Sequence, residues 1–411
     1  MIGANQGGTI VNNTLQNISK IRLEAASAAL LLAVVLMSAA VATQSAQAQT
    51  FTVLHSFTGS LDGAYPTGLV RDAAGNLYGT TSNGGTYGYG TVFKVDTGGR
   101  EIVLYSFRGG TDGALPADLI QDAYGNLYGT TAEGGGTGCW HGYGCGTVYR
   151  VSSKGKESVL YRFTGGTDGA SPMGTLFREP DGRLYGTTQI GGDLSCYPPA
   201  GCGTVFVVSK AGEEKVLHSF NVSDGFLPWA GVIPDAEGNL LGTTEGGGDP
   251  GYGNVFKLNK AGKETVLYHF DKPQQGQFPQ SGLTLGKAGT LYGTTVQGGA
   301  YGNGTVFKVS KRGVGTVLYS FSWPDGVNPF AGVILDSKGN LCGDTEMGGL
   351  SGYGTVYKLD ASGTLTLLHA FDGPDGKYPF DNLIRDAKGN FYGTASSGGS
   401  AGYGTVWKLT P

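Results

Sequence analysis

The chain has 411 residues, of which 28 are Lys or Arg and 32 are Asp or Glu, so its net charge is -4 at neutral pH. That balance provides no basic surface for nucleic acid or for an anionic membrane, and we expect neither as a partner. Glycine is abundant at 76 residues, but aromatic residues make up 11% of the chain, which favours many tight turns over disorder.

The first 48 residues have the features of an export signal. Lys20 and Arg22 precede an apolar segment over residues 25–42, and residues 46–48 (Ala-Gln-Ala) form a small-x-small cleavage pattern. We predict a signal peptide over residues 1–48 and a mature domain over 49–411 that is secreted or extracytoplasmic, in the periplasm or at the cell surface. An uncleaved N-terminal anchor is the alternative, because the apolar segment approaches the ~18–20 residues that a membrane span needs.

One unit then recurs seven times. Its most regular stretch is Gly-Asn-Leu-Tyr-Gly-Thr-Thr at residues 75–81, and the seven central glycines are Gly79, Gly129, Gly186, Gly242, Gly293, Gly343 and Gly393. Each unit contains four runs with strand character, separated by turn residues. In the first unit these runs are Pro66–Asp72, Gly75–Thr81, Gly90–Asp96 and Glu101–Phe107. The pattern predicts small four-stranded antiparallel sheets, stacked so that aromatic rows pack on their neighbours.

The phase of the repeat predicts how the sheets close. Residues 51–57 match the fourth run of a unit with no first three before them, and residues 404–411 match a third run with no fourth after it. Closure into a ring pairs both loose edges, whereas a linear solenoid gains nothing from this complementarity. We therefore predict an all-β fold, a seven-bladed β-propeller whose last blade takes its outer strand from the N-terminal end of residues 49–411.

The repeated motifs resemble a known family. Gly-Asn-Leu-Tyr-Gly-Thr-Thr, then Gly-Gly, then Gly-Tyr-Gly-Thr-Val-Phe-Lys are similar to the GloVer tandem repeat of exported bacterial proteins described as choice-of-anchor, and the match covers residues 51–411. The resemblance implies a surface or secreted repeat protein of undetermined activity. Because the sequence stops at Pro411 directly after a strand, without the C-terminal tail of anchored members, we expect a released protein.

Four of the five cysteines form two pairs with the same separation, Cys139 with Cys145 and Cys196 with Cys202. Each pair lies in one of the two repeats that are six residues longer than the others between the second and third runs. We predict two local disulfide bonds, which fit an oxidising compartment. Metal-bound thiolates are the alternative, although no Cys-x-x-Cys spacing is present. The fifth, Cys342, replaces a tyrosine of the repeat and is expected to be a buried free thiol.

The loops that connect second to third strands and fourth to first strands emerge on one face of an antiparallel blade, which we call the long-loop face. Six of the seven fourth-to-first loops carry Asp before Gly. One interpretation is a ring of carboxylates at the channel mouth that binds Ca²⁺ or a cationic ligand; the other is that each Asp caps its own turn. No other cofactor is expected. The six residues are Asp62, Asp112, Asp168, Asp224, Asp325 and Asp375.

Aromatic residues and one histidine also fall on the long-loop face, in the cysteine loops and beside prolines. An exposed cluster of this kind is suited to stacking on sugar rings or to an apolar patch of a partner protein. The alternative is that these rings pack down onto the glycine-rich loops. The candidate ligand-binding residues are Trp140, His141, Tyr197, Trp229 and Trp323.

These observations predict a secreted, monomeric and non-enzymatic module that binds an extracellular glycan or protein through the long-loop face, centred on the second and third blades. One alternative is a propeller enzyme, either a Ca²⁺-assisted lactonase-like hydrolase or a polysaccharide-degrading enzyme; another is a structural protein of the envelope. An enzyme should gather carboxylates, histidine or a metal from unlike blades near the channel. We find no acid, base or nucleophile that stands outside the repeat pattern.

Overall fold

A computed structural model of the chain describes residues 49–136, 138–139 and 142–411. These residues form seven four-stranded antiparallel sheets in a ring, so the predicted seven-bladed β-propeller is confirmed. The predicted signal segment, residues 1–48, lies outside the described residues. Within the described residues, no helix is of the length and apolar character needed to cross a membrane.

Each blade has four strands, which we call inner, second, third and outer. In the first six blades they follow one another in this order along the chain, and in the seventh the outer strand comes from the start of the domain. The inner strands are β2 (Ala64–Arg71), β6 (Ala114–Gln121), β10 (Phe177–Arg178), β14 (Ile233–Pro234), β18 (Thr284–Leu285), β22 (Ile334–Leu335) and β26 (Ile384–Arg385). The second strands are β3 (Leu77–Asn83), β7 (Leu127–Glu133), β11 (Leu184–Thr188), β15 (Leu240–Thr244), β19 (Leu291–Thr295), β23 (Leu341–Thr345) and β27 (Phe391–Ala395).

The third and outer strands are equally regular. The third strands are β4 (Thr91–Val95), β8 (Thr147–Val151), β12 (Thr204–Val208), β16 (Asn254–Leu258), β20 (Thr305–Val309), β24 (Thr355–Leu359) and β28 (Thr405–Thr410). The outer strands are β5 (Glu101–Ser106), β9 (Glu157–Arg162), β13 (Glu214–Ser219), β17 (Glu264–His269), β21 (Gly315–Ser320), β25 (Leu365–Ala370) and β1 (Thr50–Ser56). Two short 3₁₀ turns, Pro273–Gln275 and Lys287–Gly289, are the described helical elements.

The seventh blade contains both ends of the described domain. Strand β1 pairs antiparallel with β28, and Val53 lies opposite Trp407 in the register. The outer strand of this blade is therefore separated from its other three strands by the length of the domain. The predicted mode of closure is correct, and it leaves neither β1 nor β28 with an unpaired edge facing the other.

Aromatic side chains fill the space between adjacent blades. The outer-strand Phe of each blade packs edge-on against the third-strand aromatic of the next, at centroid distances of 5.1 Å for Phe57 with Phe93 and 5.8 Å for Phe371 with Trp407. The five intervening pairs have the same geometry. Such edge-to-face pairs contribute about 0.5–1.5 kcal/mol each beyond the area they bury. Because the contact recurs from every blade to the next, the core is a closed ring.

The repeated Gly-Asn-Leu-Tyr-Gly-Thr-Thr motif has a structural explanation. The carboxylate of Asp72 accepts hydrogen bonds from the backbone N–H and side-chain amide of Asn76, which fixes the tight turn before β3. Gly79 faces the third-strand aromatic: a Cβ atom there would lie 2.6 Å from the Phe93 ring. The motif therefore recurs because every blade needs this tight turn and this close packing.

The inner strands differ from the prediction. In the first blade β2 covers Ala64–Arg71, whereas the sequence predicted Pro66–Asp72. In blades three to seven the inner strand has two residues. These blades have one more residue between the recurring proline and the buried Leu or Val before the strand, as from Pro172 to Leu176 compared with Pro66 to Leu69, and the extra residue interrupts the pairing. Most of the channel wall is consequently irregular backbone, which places side chains there less regularly than in the outer strands.

Both predicted disulfide bonds are present, Cys139–Cys145 and Cys196–Cys202, with Cα–Cα distances of 5.2 and 5.6 Å. Each closes a loop on the long-loop face. Cys342 is a buried free thiol, as predicted, and burial raises its pKa to about 12.

Candidate functional site

A cavity of about 1190 Å³ occupies the centre of the ring. All seven blades contribute to its wall through the inner strand or the segment just before it, and four blades also contribute residues at the ends of their second strands. Both kinds of segment adjoin the loops of the long-loop face. The cavity is therefore reached from the face that the sequence singled out for binding.

The outer part of the cavity wall is largely aromatic. Trp229, Phe330, Tyr378 and Phe380 line it, together with Met173. The indole N–H of Trp229 donates a hydrogen bond to the carboxylate of Glu245, which holds the ring in place. Phe380 is 36% exposed, so part of its ring is available to a ligand. This arrangement combines apolar contact area with fixed orientation.

Two carboxyl groups from different blades meet deeper in the cavity. Asp118 of the second blade and Asp381 of the seventh are hydrogen-bonded to each other. Asp118 also accepts hydrogen bonds from the backbone N–H of Gly68 at 3.1 Å and from the hydroxyl of Thr175 at 2.6 Å. Asp381 is hydrogen-bonded to Thr394. We call Asp118 and Asp381 the carboxyl pair.

The carboxyl pair holds a proton. Burial raises the pKa of Asp118, and burial together with the charges of Asp118 and Asp344 raises the pKa of Asp381 well above its usual range. Two carboxylates that are hydrogen-bonded to each other cannot both be ionised, since one must donate. Burial and the contact between the two carboxyl groups therefore both favour a protonated form of the pair.

A third carboxyl group lies next to the pair. Asp344 is 1% exposed, and neither of its carboxyl oxygens has a hydrogen-bond partner among the described residues. In four other blades the threonine at the same position donates to the next blade, as Thr243 does to the carbonyl oxygen of Ser281 at 2.9 Å. The side chain of Asp344 is thereby directed at the segment that carries Asp381. Burial raises the pKa of Asp344 well above its usual range.

The blades that contribute these carboxyl groups differ in a second way. Blades two, six and seven have Tyr149, Tyr357 and Trp407 at the third-strand aromatic position, where the other four blades have phenylalanine. All three side chains are fully buried, and their polar atoms have no hydrogen-bond partner among the described residues. The charge of Asp118 acts on Tyr149 and that of Asp344 on Tyr357. The polar groups are thus concentrated on one side of the channel.

The expectation that no acid stands outside the repeat pattern was wrong. Asp118 and Asp381 both take the second position after the recurring proline. In the other blades this position is Gly68, Gly174, Ala230, Ser281 and Ala331. Asp344 replaces the first threonine of the Gly-Thr-Thr motif. An alignment of the seven units at the residues around the conserved proline shows these departures. Each of these residues occurs in only one or two of the seven units, so the repeat pattern gives no signal for it.

The six predicted Asp-Gly residues do not line the cavity. Each accepts a hydrogen bond from a backbone N–H of its own turn, for example from Arg108 to Asp112 at 3.0 Å. Each also bonds to the Tyr or His of its own outer strand, as Tyr105 does to Asp112 at 2.7 Å and His369 to Asp375 at 2.6 Å. These contacts are those of turn capping, and they explain why Tyr and His interchange on the outer strands.

The predicted aromatic residues are dispersed. Trp140 and His141 lie outside the described residues. Tyr197 is 56% exposed and packs on Phe226 at a centroid distance of 5.0 Å, and Trp323 is 57% exposed. Neither Tyr197 nor Trp323 lines the cavity, whereas Trp229 does. Among the described residues, no group of three or more His, Cys, Asp or Glu side chains is arranged to hold a metal ion.

The repeat that builds this cavity matches a known family. The Gloeobacter/Verrucomicrobia repeat matches residues 38–196 and 197–407, which together include most of the chain. The chain belongs to the Gloeobacter/Verrucomicrobia repeat family. The resemblance noted from the recurring glycine motifs is thereby confirmed. No curated protein matches the chain.

Solved structures share the fold of this Gloeobacter/Verrucomicrobia repeat protein. The extracellular domain of a one component system from B. thetaiotaomicron is 11% identical, with a TM-score of 0.55 over 88% of this chain and 40% of that chain. The extracellular domain of a hybrid two component system from the same organism is 14% identical, with a TM-score of 0.55 over 88% of this chain and 41% of that one. This chain thus spans about two fifths of their length. At such identities the similarity shows the fold alone.

A gluconolactonase from Xanthomonas campestris is also similar, at 14% identity and a TM-score of 0.44 over 88% of this chain and 90% of that chain.

Proposed function

We propose that this protein is a secreted, non-enzymatic binding module that takes an extracellular saccharide into its central cavity from the long-loop face. The observation that carries the proposal is the cavity itself, in which aromatic rings at the mouth stand above hydrogen-bonding groups at greater depth. Sugar rings present apolar faces and hydroxyl edges, and they are bound by aromatic rings that stack and by polar groups that accept or donate. The two disulfide bonds support an extracytoplasmic location.

The size of the cavity favours an organic ligand. Small-molecule sites are commonly about 300–1,000 Å³, so a volume of about 1190 Å³ fits a short oligosaccharide. The centre of the proposed site is the channel mouth, which includes Trp229 of the fourth blade, and no longer the cysteine loops of the second and third blades. A protein partner is disfavoured because the aromatic groups are recessed in a cavity and not spread over a flat surface.

The geometry of the carboxyl pair favours binding over glycoside cleavage. The two catalytic carboxyl groups of a glycosidase are about 5–5.5 Å apart in retaining enzymes and about 6.5–9.5 Å apart in inverting ones, which leaves room for the sugar or for water. Asp118 and Asp381 are instead hydrogen-bonded to each other. A sugar atom that is to react cannot occupy the space between them without separating the pair.

The proposal is tested by replacing cavity aromatics and screening the purified domain on a glycan array, followed by calorimetric titration of the hits. Trp229→Ala and Phe380→Ala should weaken binding by about tenfold or more, because each removes a stacking surface. Trp323→Ala is the matched control, since Trp323 is exposed and lies outside the cavity. All variants should melt within a few degrees of the unmodified protein.

Unchanged affinity in both cavity variants, or a loss in Trp323→Ala alone, would move the site out of the channel. Release of a shortened saccharide during incubation, detected by mass spectrometry and lost in Asp118→Asn, would show that the protein is an enzyme.

A further inference from the structure

The charges around the cavity are of one sign. Carboxyl groups occur at two depths, with Glu133 and Glu346 toward the mouth and the carboxyl pair further in. Among the residues that the structure describes, no Lys, Arg or His lines the cavity. Three of the arginines, Arg71, Arg178 and Arg385, end inner strands at the opposite face of the propeller. A cavity of this kind attracts cations and repels anionic ligands such as uronic acids or phosphates.

We propose that the saccharide is an amino sugar whose ammonium group binds at Asp118 and Asp381, a proposal that rests on the proposed function. An ammonium group donates three hydrogen bonds and carries a positive charge, opposite in sign to that of the carboxyl pair. The aromatic wall, with Trp229 and Phe380, stacks on the body of the sugar and also attracts a cation. Neutral saccharides can stack on the aromatic wall, but they carry no positive charge to pair with Asp118 and Asp381.

A second observation points to a ligand at this place. One carboxyl oxygen of Asp381 is buried without a hydrogen-bond partner among the described residues, although its other interactions are satisfied. Asp344, directed at the same segment, has two such oxygens. Unsatisfied buried polar atoms are costly to a fold, so a protein that keeps several in one place gains from them in another way, such as by binding a ligand. Acceptor oxygens are what an ammonium group requires.

The ammonium group donates its hydrogen bonds to the oxygens of Asp118 and Asp381, and its positive charge balances the negative charge of the pair. No bond of the sugar forms or breaks. The titratable groups that face the pair or the cavity around it are Asp344, Tyr149, Tyr357, Tyr378, Glu133 and Glu346.

The test compares two ligands of equal length, a glucosamine tetramer and its N-acetylated counterpart, by calorimetry at about pH 6, where a sugar amine is protonated. Acetylation removes the charge and leaves the rings unchanged. We expect the amino form to bind about tenfold or more tightly, because it alone carries a positive charge for the carboxyl pair. The preference should disappear in Asp118→Asn and in Asp381→Ala. The latter installs the residue that the sixth blade has at this position, Ala331, so the fold should tolerate it.

Asp193→Asn is the control, because Asp193 is an exposed carboxylate outside the cavity. Equal affinity for the two tetramers, or an amino preference that survives in both pair variants, would overturn the proposal while saccharide binding itself stands. The same holds if neither tetramer binds but a neutral glycan binds in a manner that depends on Trp229. If Ca²⁺ alone gives heat that Asp118→Asn abolishes, the pair is a metal site and not an ammonium site. If no saccharide binds at all, the proposed function falls as well.

Discussion

Four glutamates that begin the outer strands of blades one to four make the stability of the propeller depend on pH. They are Glu101, Glu157, Glu214 and Glu264. Each is half-buried, and one of its carboxyl oxygens is buried without a hydrogen-bond partner among the described residues. Burial, and next the charge of an aspartate in the adjacent loop, raise the pKa of each to about 7.

Stability decreases as the pH rises, because folding raises the pKa of these glutamates. Because the pKa rises on folding from 4.5 to about 7, the folded state binds more protons than the unfolded state across that interval. The stabilisation is fully present below about pH 4.5 and is lost as the pH rises through about 7. A shift of this size corresponds to about 3 kcal/mol for a fully buried group, but these groups are half exposed and screened by solvent, which leaves about 1 kcal/mol each.

The four sites together therefore change the free energy of unfolding by about 4 kcal/mol between pH 5.5 and pH 8.5. For a domain of about 360 residues, with an unfolding entropy of about 2 cal/mol/K per residue, this corresponds to about 5 °C in the melting temperature. Circular dichroism melts should show the unmodified protein less stable at pH 8.5 than at pH 5.5. The variant with all four positions changed from Glu to Gln should lose this dependence, because Gln cannot ionise.

The quantity to compare is the change of melting temperature with pH in the unmodified protein and in the four-Gln variant. The carboxyl pair and Asp344 are present in both proteins, so their contribution cancels. If the melting temperatures of the unmodified protein and of the variant change in parallel between pH 5.5 and pH 8.5, the reasoning is refuted. Such a result would show that water reaches these carboxylates in the folded state. A half-buried, non-titrating control is supplied by the sixth blade, where Leu365 stands at the same position. Substituting Leu365 by Gln should leave the pH dependence unchanged.

Other substitutions test the fold and its closure. Phe57→Ala should cost about 3–5 kcal/mol in urea unfolding, as much as Phe107→Ala, because β1 is a full member of the seventh blade; a near-neutral result would contradict the observed closure. Gly79→Ala should cost about 1–3 kcal/mol, since the new methyl group meets the Phe93 ring, and a variant as stable as the parent would show that the ring moves freely. Replacing all four disulfide-bonded cysteines by serine should lower stability by about 2 kcal/mol per loop, measured by the same urea titration in the absence of reductant, and no change would mean the loops are already ordered without their bonds.

Much of the propeller was predictable because its interactions are local and repeated. The turn at Asp72 and Asn76, the glycine opposite an aromatic ring, and the two six-residue disulfide loops each depend on residues close in sequence. Seven copies make such local signals easy to recognise. The closure by β1 was also predictable, because the missing strand at one end has the same pattern as the extra strand at the other.

The candidate site was predictable in part only. The long-loop face and Trp229 were identified from the sequence, but the Asp-Gly residues proved to cap turns, since a carboxylate before a glycine has its own backbone amides within reach. The carboxyl pair was missed. Asp118 and Asp381 are more than 250 residues apart in the chain, and nothing in either local sequence indicates that the other is near.

The sequence by itself determined the number of blades, the strands within them, the local disulfide bonds and the strand that completes the ring, because the physical causes of these features act between neighbouring residues or repeat in every unit. Only the tertiary structure decided which departures from the repeat face the channel. Ring closure brings the inner strands of all seven blades around one axis, so residues from blades two, six and seven become neighbours there although the chain separates them.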